Sequence, residues 1–283
     1  PKPLIRVLGN ELLIWSLFSF KFNNNDSLFL VTYQKHKVKK ILNKKIKNLF
    51  PNINIYWLEL KDILEGQLHT ALCAIKFFNI RGPLIIHNCD TFHNYHNQEI
   101  ESTLKKENIF GIIPCFKGKG DHWSFAKISN SDPSLAIEVK EKVKISNNCS
   151  VGTYIFRDCH EFCKLSEEYL KKNRNKFDEF FIAPVYQYAI EKNLIVKIAD
   201  ALNVKVFGTP KELMENFQIS LNEVLGENAW NANQRNTLVV DIDRTICAKQ
   251  ENDNYIDAKP IKNVCSALMK AHNDGVYIIL FTS

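Results

Sequence analysis

Two stretches of this chain end an apolar run in carboxylates. The first is Pro83-Leu84-Ile85-Ile86-His87-Asn88-Cys89-Asp90-Thr91-Phe92. Its apolar residues, bounded by Pro and Asn, read as a buried strand of a parallel sheet. The second is Thr237-Leu238-Val239-Val240-Asp241-Ile242-Asp243-Arg244-Thr245, an apolar strand ending in two carboxylates two residues apart. Open α/β sheets bind ligands beyond the carboxyl ends of their strands. A carboxylate placed there can hold Mg²⁺, which in turn bridges nucleotide phosphate oxygens. The competing role for Asp90 is to cap the next helix, and for Asp241 and Asp243 to cap the following loop. His87 lies inside an apolar strand and reads as a satisfied core histidine rather than a ligand.

The elements that must position these carboxylates alternate. After the turn at Gly9-Asn10, a helix is predicted from Glu11 to about Phe20, a strand over 28–33 and a lysine-rich helix up to Pro51. A strand over 53–58, a helix from Gly66 to about Phe78 and the strand ending at Asp90 follow. This order describes βαβ units and a parallel sheet. From about Gly111 the pattern changes to short strands, over 111–116, 123–128, 135–139 and 150–156. Helices over 159–172 and 184–192, strands near Ile195 and Val204 and a helix from Pro210 to about Leu225 complete a first domain, 1–225. Residues 226–236 are polar and Asn-rich and read as a linker. A further strand, a helix from Pro260 to near Gly275 and a strand over 276–283 form the last segment, 237–283.

Composition excludes several classes. With 45% apolar and 24% charged residues the chain can bury a sizeable core. Leu12 to Phe20 is its densest apolar run, shorter than the roughly 18 residues a membrane span needs and without a signal-peptide cleavage pattern. The net charge of +6 is concentrated in Lys35–Lys47, where Val38, Ile41, Leu42, Ile46 and Leu49 form a helical stripe. Those lysines are a solvated helix face, so neither nucleic acid nor membrane is an expected partner, whereas small anions are. Eight cysteines without a Cys-x-x-Cys pair read as reduced thiols of a cytoplasmic protein.

Residues 1 to about 222 resemble a sugar-phosphate nucleotidyltransferase of the NDP-sugar pyrophosphorylase type. Pro1-Lys2-Pro3-Leu4-Ile5 is similar to the signature that follows the family's glycine-rich phosphate loop, and Gly66-Gln67 with Thr70 to its nucleobase-binding helix start. Asn88-Cys89-Asp90 resembles its metal-binding aspartate. Trp123-Ser124-Phe125-Ala126 followed by Glu138-Val139-Lys140-Glu141-Lys142 resembles the segment presenting an acceptor-binding Glu-Lys pair. Val151-Gly152-Thr153-Tyr154 looks like the acceptor-pocket strand, and Gly208-Thr209-Pro210-Lys211-Glu212-Leu213 like the closing motif. The resemblance implies an α/β fold: a mixed, mainly parallel nucleotide-binding sheet with a smaller acceptor-binding sheet. It implies NTP and sugar phosphate as partners, Mg²⁺ as cofactor, and a product that feeds surface polysaccharide synthesis. By the same resemblance Asp90 holds Mg²⁺, Lys2 neutralises the triphosphate and Lys142 grips the acceptor phosphate. Gly66 and Gln67 face the nucleobase, while Glu141 and Gly152 line the acceptor pocket. A surface ion pair would be the plain role for Glu141 and Lys142, and close strand packing for Gly152.

Two departures bear on function. Many relatives place a second metal carboxylate two residues before the closing-motif glycine, where this chain has Val206, so another residue completes the site or the metal is held differently. The glycine-rich loop would precede Pro1. A non-catalytic nucleotide- or sugar-phosphate-binding protein and an NDP-sugar-using glycosyltransferase are therefore the competing classes, and a homo-oligomer is left open. From residue 237 on, the chain resembles the opening of a haloacid dehalogenase-like phosphatase, with Asp241-Ile242-Asp243-Arg244-Thr245 and Thr282 as its first two motifs. In that family the first Asp attacks phosphorus and the second is the general acid/base, beside Mg²⁺. Such a domain could trim a phosphate from an intermediate of the same pathway. Both resemblances imply segments beyond 1 and 283, and negligible activity of 1–283 without them.

Overall fold

A hairpin opens the chain: β1 (Arg6–Val7) and β2 (Asn10–Glu11) pair antiparallel around Leu8 and Gly9. α1 (Leu12–Leu17) follows, shorter than the predicted helix. β3 (Ser27–Tyr33), α2 (Val38–Leu49) and β4 (Asn54–Leu60) form the first βαβ unit, its strands parallel from Ser27↔Asn54 to Tyr33↔Leu60. On α2 the buried residues are Val38, Leu42 and Ile46, spaced four apart, and they pack on Leu13, Ile14, Leu17 and Leu30. Ile41 and Leu49 are exposed instead, because a single neighbouring layer covers only a narrow stripe of the helix. Of the lysines on its polar side, Lys45 reaches back to Glu11 at 2.6 Å. The computed structural model describes residues 1–106, 108–118, 120–174, 177, 179–217, 237–242, 245–248 and 258–281, with backbone only at 237, 277 and 281.

α3 (Gln67–Phe78) ends at Asn79, whose left-handed conformation closes the helix. β5 (Leu84–His87), β6 (Thr91–Asn94) and α4 (Asn97–Leu104) follow. Next come β7 (Ile109–Lys117), β8 (Ser124–Ile128), β9 (Leu135–Glu141), β10 (Asn148–Ser150) and β11 (Thr153–Phe156). α5 (Cys159–Asn173), α6 (Ala183–Glu191), β12 (Ile195–Asp200), β13 (Leu202–Val206) and α7 (Pro210–Phe217) complete the unit that spans Pro1–Ile219. α5 starts on the Asp158 carboxylate, which accepts from Glu161 N at 2.9 Å.

Seven strands form one sheet in the order β10-β8-β9-β12-β7-β11-β5, and β6 pairs with β13 separately. The sheet is mixed, as predicted, but its parallel share is smaller than predicted. Of its described pairings only β7–β12 is parallel; the parallel pair β3–β4 stands apart. Several of its strands are joined by connections too short for a crossover helix, which forces antiparallel pairing. β5 likewise pairs antiparallel with β11, and Ile85 is exposed, so the strand before Asp90 is a half-covered edge strand. The core lies under the centre of the sheet, where Phe110, Phe156 and Tyr186 pack with α3, α5 and α6.

The second unit, Ser220–Ser283, contains β14 (Thr237–Asp241), α8 (Lys262–Asn273) and β15 (Tyr277–Phe281). Its strands are parallel from Thr237↔Tyr277 to Asp241↔Phe281. The helix begins two residues after Pro260, which instead bridges to Cys247. Val239 is 50% exposed and Leu280 55%, so both strands leave apolar surface open. The predicted linker 226–236, together with Asp243, Arg244 and Thr282, lies outside the described residues.

Candidate active site

Asp90 sits in a turn whose every side is tied down. After His87 the chain passes through Asn88-Cys89-Asp90 and returns as β6. Asn88 N donates to Gly152 O (3.0 Å), and Asn88 O accepts from Ser16 Oγ (2.8 Å). Asn88 Oδ1 accepts from Gln67 Nε2 (3.1 Å), and Asp90 O accepts from Phe207 N (3.0 Å). Cys89 packs into the α1–α2 cluster; burial, then the Asp90 charge, pushes its thiol pKa up to about 11. Asp90 is therefore not a helix cap, since β6 follows it directly and α4 starts only at Asn97. Its carboxylate stays partly accessible, with Lys2 Nζ 3.0 Å from Oδ2. The stretch around Lys2 is a single 3₁₀ turn, Lys2–Leu4, shaped by the prolines on either side of it.

Beneath the turn lies a buried polar relay. Thr153 Oγ1 is 2.7 Å from His87 Nδ1 and 2.6 Å from His93 Nε2, and His87 Nε2 is 3.1 Å from Thr91 O. A carbonyl only accepts, so His87 carries its proton on Nε2 and offers a bare Nδ1. The Thr153 hydroxyl must then donate to His87, and with its one proton so committed its oxygen accepts from His93 Nε2–H, the shorter of the two His93 contacts; the neutral ring then has no proton for Asn94 O, 3.4 Å from Nδ1. Both rings are neutral. Burial, with the neighbouring His93 adding, lowers the His87 pKa to about 3, and burial lowers that of His93 to about 4. His87 is thus a satisfied core histidine that staples the ends of the Asp90 turn, from strand β5 to Thr91. Thr153 and His93 had no sequence signal of their own; they join β11 to β6 across 60 residues.

Glycine is required at two positions nearby. Gly66, at φ +101°, precedes α3, and a Cβ there would lie 2.6 Å from Phe180 O. This close approach lets Leu68 N donate to Phe180 O and Phe180 N to Glu65 O, both at 3.0 Å. Gly152, at φ +75°, breaks the predicted strand 150–156 into β10 and β11, and a Cβ there would lie 2.5 Å from Asn88 Nδ2. Close packing against the Asp90 turn is what this glycine permits. Gln67 Oε1 is buried and has no partner among the described residues. Glu141 accepts a short hydrogen bond from Ser124 Oγ; its pKa is raised by burial, against that bond and the Lys142 charge. The Glu179 carboxylate adds to the rise, and Glu179 Cγ lies 2.8 Å from the Cβ position on Gly66. Lys142, at φ +54°, holds its ammonium 4.3 Å from the Phe181 ring centroid. The structure thus joins Lys2 to Asp90, and Gln67 and Gly152 to the Asp90 turn; Glu141 is bonded instead to Ser124, and Lys142 lies over Phe181.

The donor set near Asp90 suits a hard divalent cation. Asp90 Oδ2 and Glu212 Oε2 lie 3.5 and 3.3 Å from the position a Cβ on Gly208 would occupy, so the missing side chain leaves a cradle lined by two carboxylates. An ammonium already occupies the cation position beside Asp90. Among the described residues no group of three or more His, Cys, Asp or Glu could hold a metal. An open pair fits Mg²⁺, which takes one or two carboxylates and completes its shell with phosphate oxygens and water. In the second unit, Asp241 is exposed at the end of β14, and Thr245 is half-buried four residues on.

No family model and no curated relative matches the chain. Solved structures do. A nucleoside-diphosphate-sugar pyrophosphorylase from Vibrio cholerae RC9 is 24% identical, with a TM-score of 0.69 over 77% of this chain and 92% of its own. A UDP-glucose pyrophosphorylase complexed with UDP-glucose is 13% identical, with a TM-score of 0.60 over 77% and 89%. The inositol-1-phosphate CTP transferase from T. maritima is 14% identical, with a TM-score of 0.56 over 80% and 88%. Over about three quarters of its length this chain therefore has the mixed α/β fold of these nucleotidyltransferases.

Proposed function

We propose that residues 1–225 are a nucleotidyltransferase making an NDP-sugar and pyrophosphate from an NTP and a sugar phosphate, for surface polysaccharide synthesis. One observation carries this reading. On a fold shared with sugar-nucleotide pyrophosphorylases, a fixed turn presents Asp90 beside Lys2 and is bonded to Gln67 at the head of α3. A sugar phosphate is mostly dianionic near neutral pH, so its oxygen attacks the α-phosphorus without a general base. The new P–O bond forms as the bond to pyrophosphate breaks, and the leaving group keeps the electron pair. The chain's task is to position the reactants and neutralise charge. Lys2 does so at the triphosphate, while Gly66 and Gln67, at the head of α3, serve the nucleobase. Glu141 and Gly152 line the sugar side, and Lys142 serves the acceptor phosphate. Mg²⁺ held by Asp90 supplies charge neutralisation at the phosphates.

On the same reading 226–236 is the linker and 237–283 begins a phosphatase domain, with Asp241 as nucleophile, Asp243 as acid/base and Thr245 and Thr282 as phosphate contacts. Its support is the parallel β14–β15 pair with α8 between and Asp241 at the strand end. The eight free cysteines fit a cytoplasmic enzyme. The test is pyrophosphate release from each NTP in turn, with and without sugar phosphates, using the protein in its natural length. Release that depends on the sugar phosphate and is lost in Asp90→Asn is the expected result. No release with any NTP, or release untouched by Asp90→Asn, would reject the reading; sugar transfer from an NDP-sugar would favour the glycosyltransferase.

A further inference from the structure

β13 brings an apolar residue to the place where the resemblance expects a second carboxylate. Val206 pairs with Thr91, and the next residue, Phe207, is bonded through its N–H to Asp90 O at 3.0 Å. The chain then turns at Gly208, and the first turn of α7 carries Glu212 back to the same corner. Its Oε2 is fixed there by Thr209 N at 2.9 Å and Thr209 Oγ1 at 3.1 Å. Glu212 N in turn lies 3.3 Å from Thr209 Oγ1, so the pair is a reciprocal capping box. The other oxygen, Oε1, faces His122 Nε2 at 3.5 Å. A glutamate used only as a cap needs no second carboxylate beside it. Here both Glu212 Oε2 and Asp90 Oδ2 border the space over Gly208, 3.3 and 3.5 Å from the missing Cβ. Two carboxylates converging on one gap repel unless a cation balances them, and here that cation is the Lys2 ammonium, 3.0 Å from Asp90 Oδ2, in the position a divalent ion would take.

We infer that Glu212 is the second carboxylate of the cation site, standing in for the residue that is Val206 here, with Gly208 leaving the room and Thr209 fixing the donor. The inference rests on the reading that Asp90 holds the divalent ion. It turns the loss of a carboxylate at 206 from an argument against catalysis into a relocation of the ligand by six positions, from β13 to α7.

Glu212→Gln separates the two roles, because glutamine also completes a capping box while losing the charge. The measurement is Mn²⁺ affinity, by the electron paramagnetic resonance of the free ion, for the parent, Glu212→Gln, Asp90→Asn and Glu212→Gln/Val206→Asp in the natural-length protein. Mn²⁺ binding should weaken about tenfold or more in each single variant, since even groups that only support metal ligands are worth 10–100-fold. The melting temperature of Glu212→Gln should stay near the parent's, and Val206→Asp should restore affinity in the double variant. Unchanged Mn²⁺ affinity in Glu212→Gln, with weakening in Asp90→Asn, overturns the inference and leaves Asp90 in place. The reverse pattern also overturns it, because Glu212 would then bind the ion without the Asp90 site it is inferred to complete. No effect of either variant rejects both.

Discussion

Thr153→Val removes one hydroxyl and leaves the shape of the side chain nearly intact. In the folded chain that hydroxyl serves two imidazoles, donating to His87 Nδ1 at 2.7 Å and accepting from His93 Nε2 at 2.6 Å. Thr153 and His93 are fully buried, so water cannot replace it. An unsatisfied buried polar group costs about 1–3 kcal/mol, and two are created. The methyl that valine adds recovers less than about 1 kcal/mol. The net loss should be about 2–4 kcal/mol, which for a unit of this size lowers Tm by roughly 5–12 °C. Urea unfolding, followed by near-ultraviolet circular dichroism, should show a lower midpoint with an unchanged slope. Thr153→Ser keeps the hydroxyl and should lose only the methyl contribution, about 1 kcal/mol. A valine variant within about 0.5 kcal/mol of the parent, or a serine variant equally unstable, would refute the relay. A destabilisation with unchanged Mn²⁺ affinity would show that the relay holds the sheet but not the Asp90 turn.

Two further outcomes follow from the same geometry. His87 and His93 are neutral when folded, with pKa values near 3 and 4, while unfolded imidazoles take protons near 6.5. Below that pH the unfolded state binds more protons, so stability falls with falling pH, by about 1.4 kcal/mol per unit for each ring. Unfolding free energies from urea titrations at pH 7.5 and 5.5 should differ by about 2–3 kcal/mol; a flat profile would mean the rings are not held neutral. Lys142→Ala should raise the sugar-phosphate Kd about tenfold or more, the worth of a hydrogen bond to a charged group, and leave NTP affinity nearly unchanged. Calorimetric titration checks this, and equal losses for both ligands would move Lys142 away from the acceptor.

Local pattern was enough where an element is long and its periodicity is plain. β3, α2, α3, α5 and the parallel pair β14–β15 fall close to where apolar spacing and turn residues place them. The sequence also marks the Asp90 stretch as a strand end followed by polar residues, whereas the capping box of Thr209 and Glu212 is seen only in the hydrogen bonds of the fold. β6 was not legible, because Thr91-Phe92-His93-Asn94 is half polar and becomes a strand only by pairing with β13, over a hundred residues later. The break at Gly152 was hidden for a similar reason: its positive φ is fixed by the approach of Asn88, not by its neighbours in the chain. The site itself is wholly tertiary. Lys2 and Asp90 are 88 residues apart, His93 and Thr153 are 60 apart, and Glu212 meets Asp90 only across Gly208. Residue types and local spacing fix which groups could act. Which of them share one volume, and so which charges must be balanced there, depends on contacts whose partners are chosen by the packed fold.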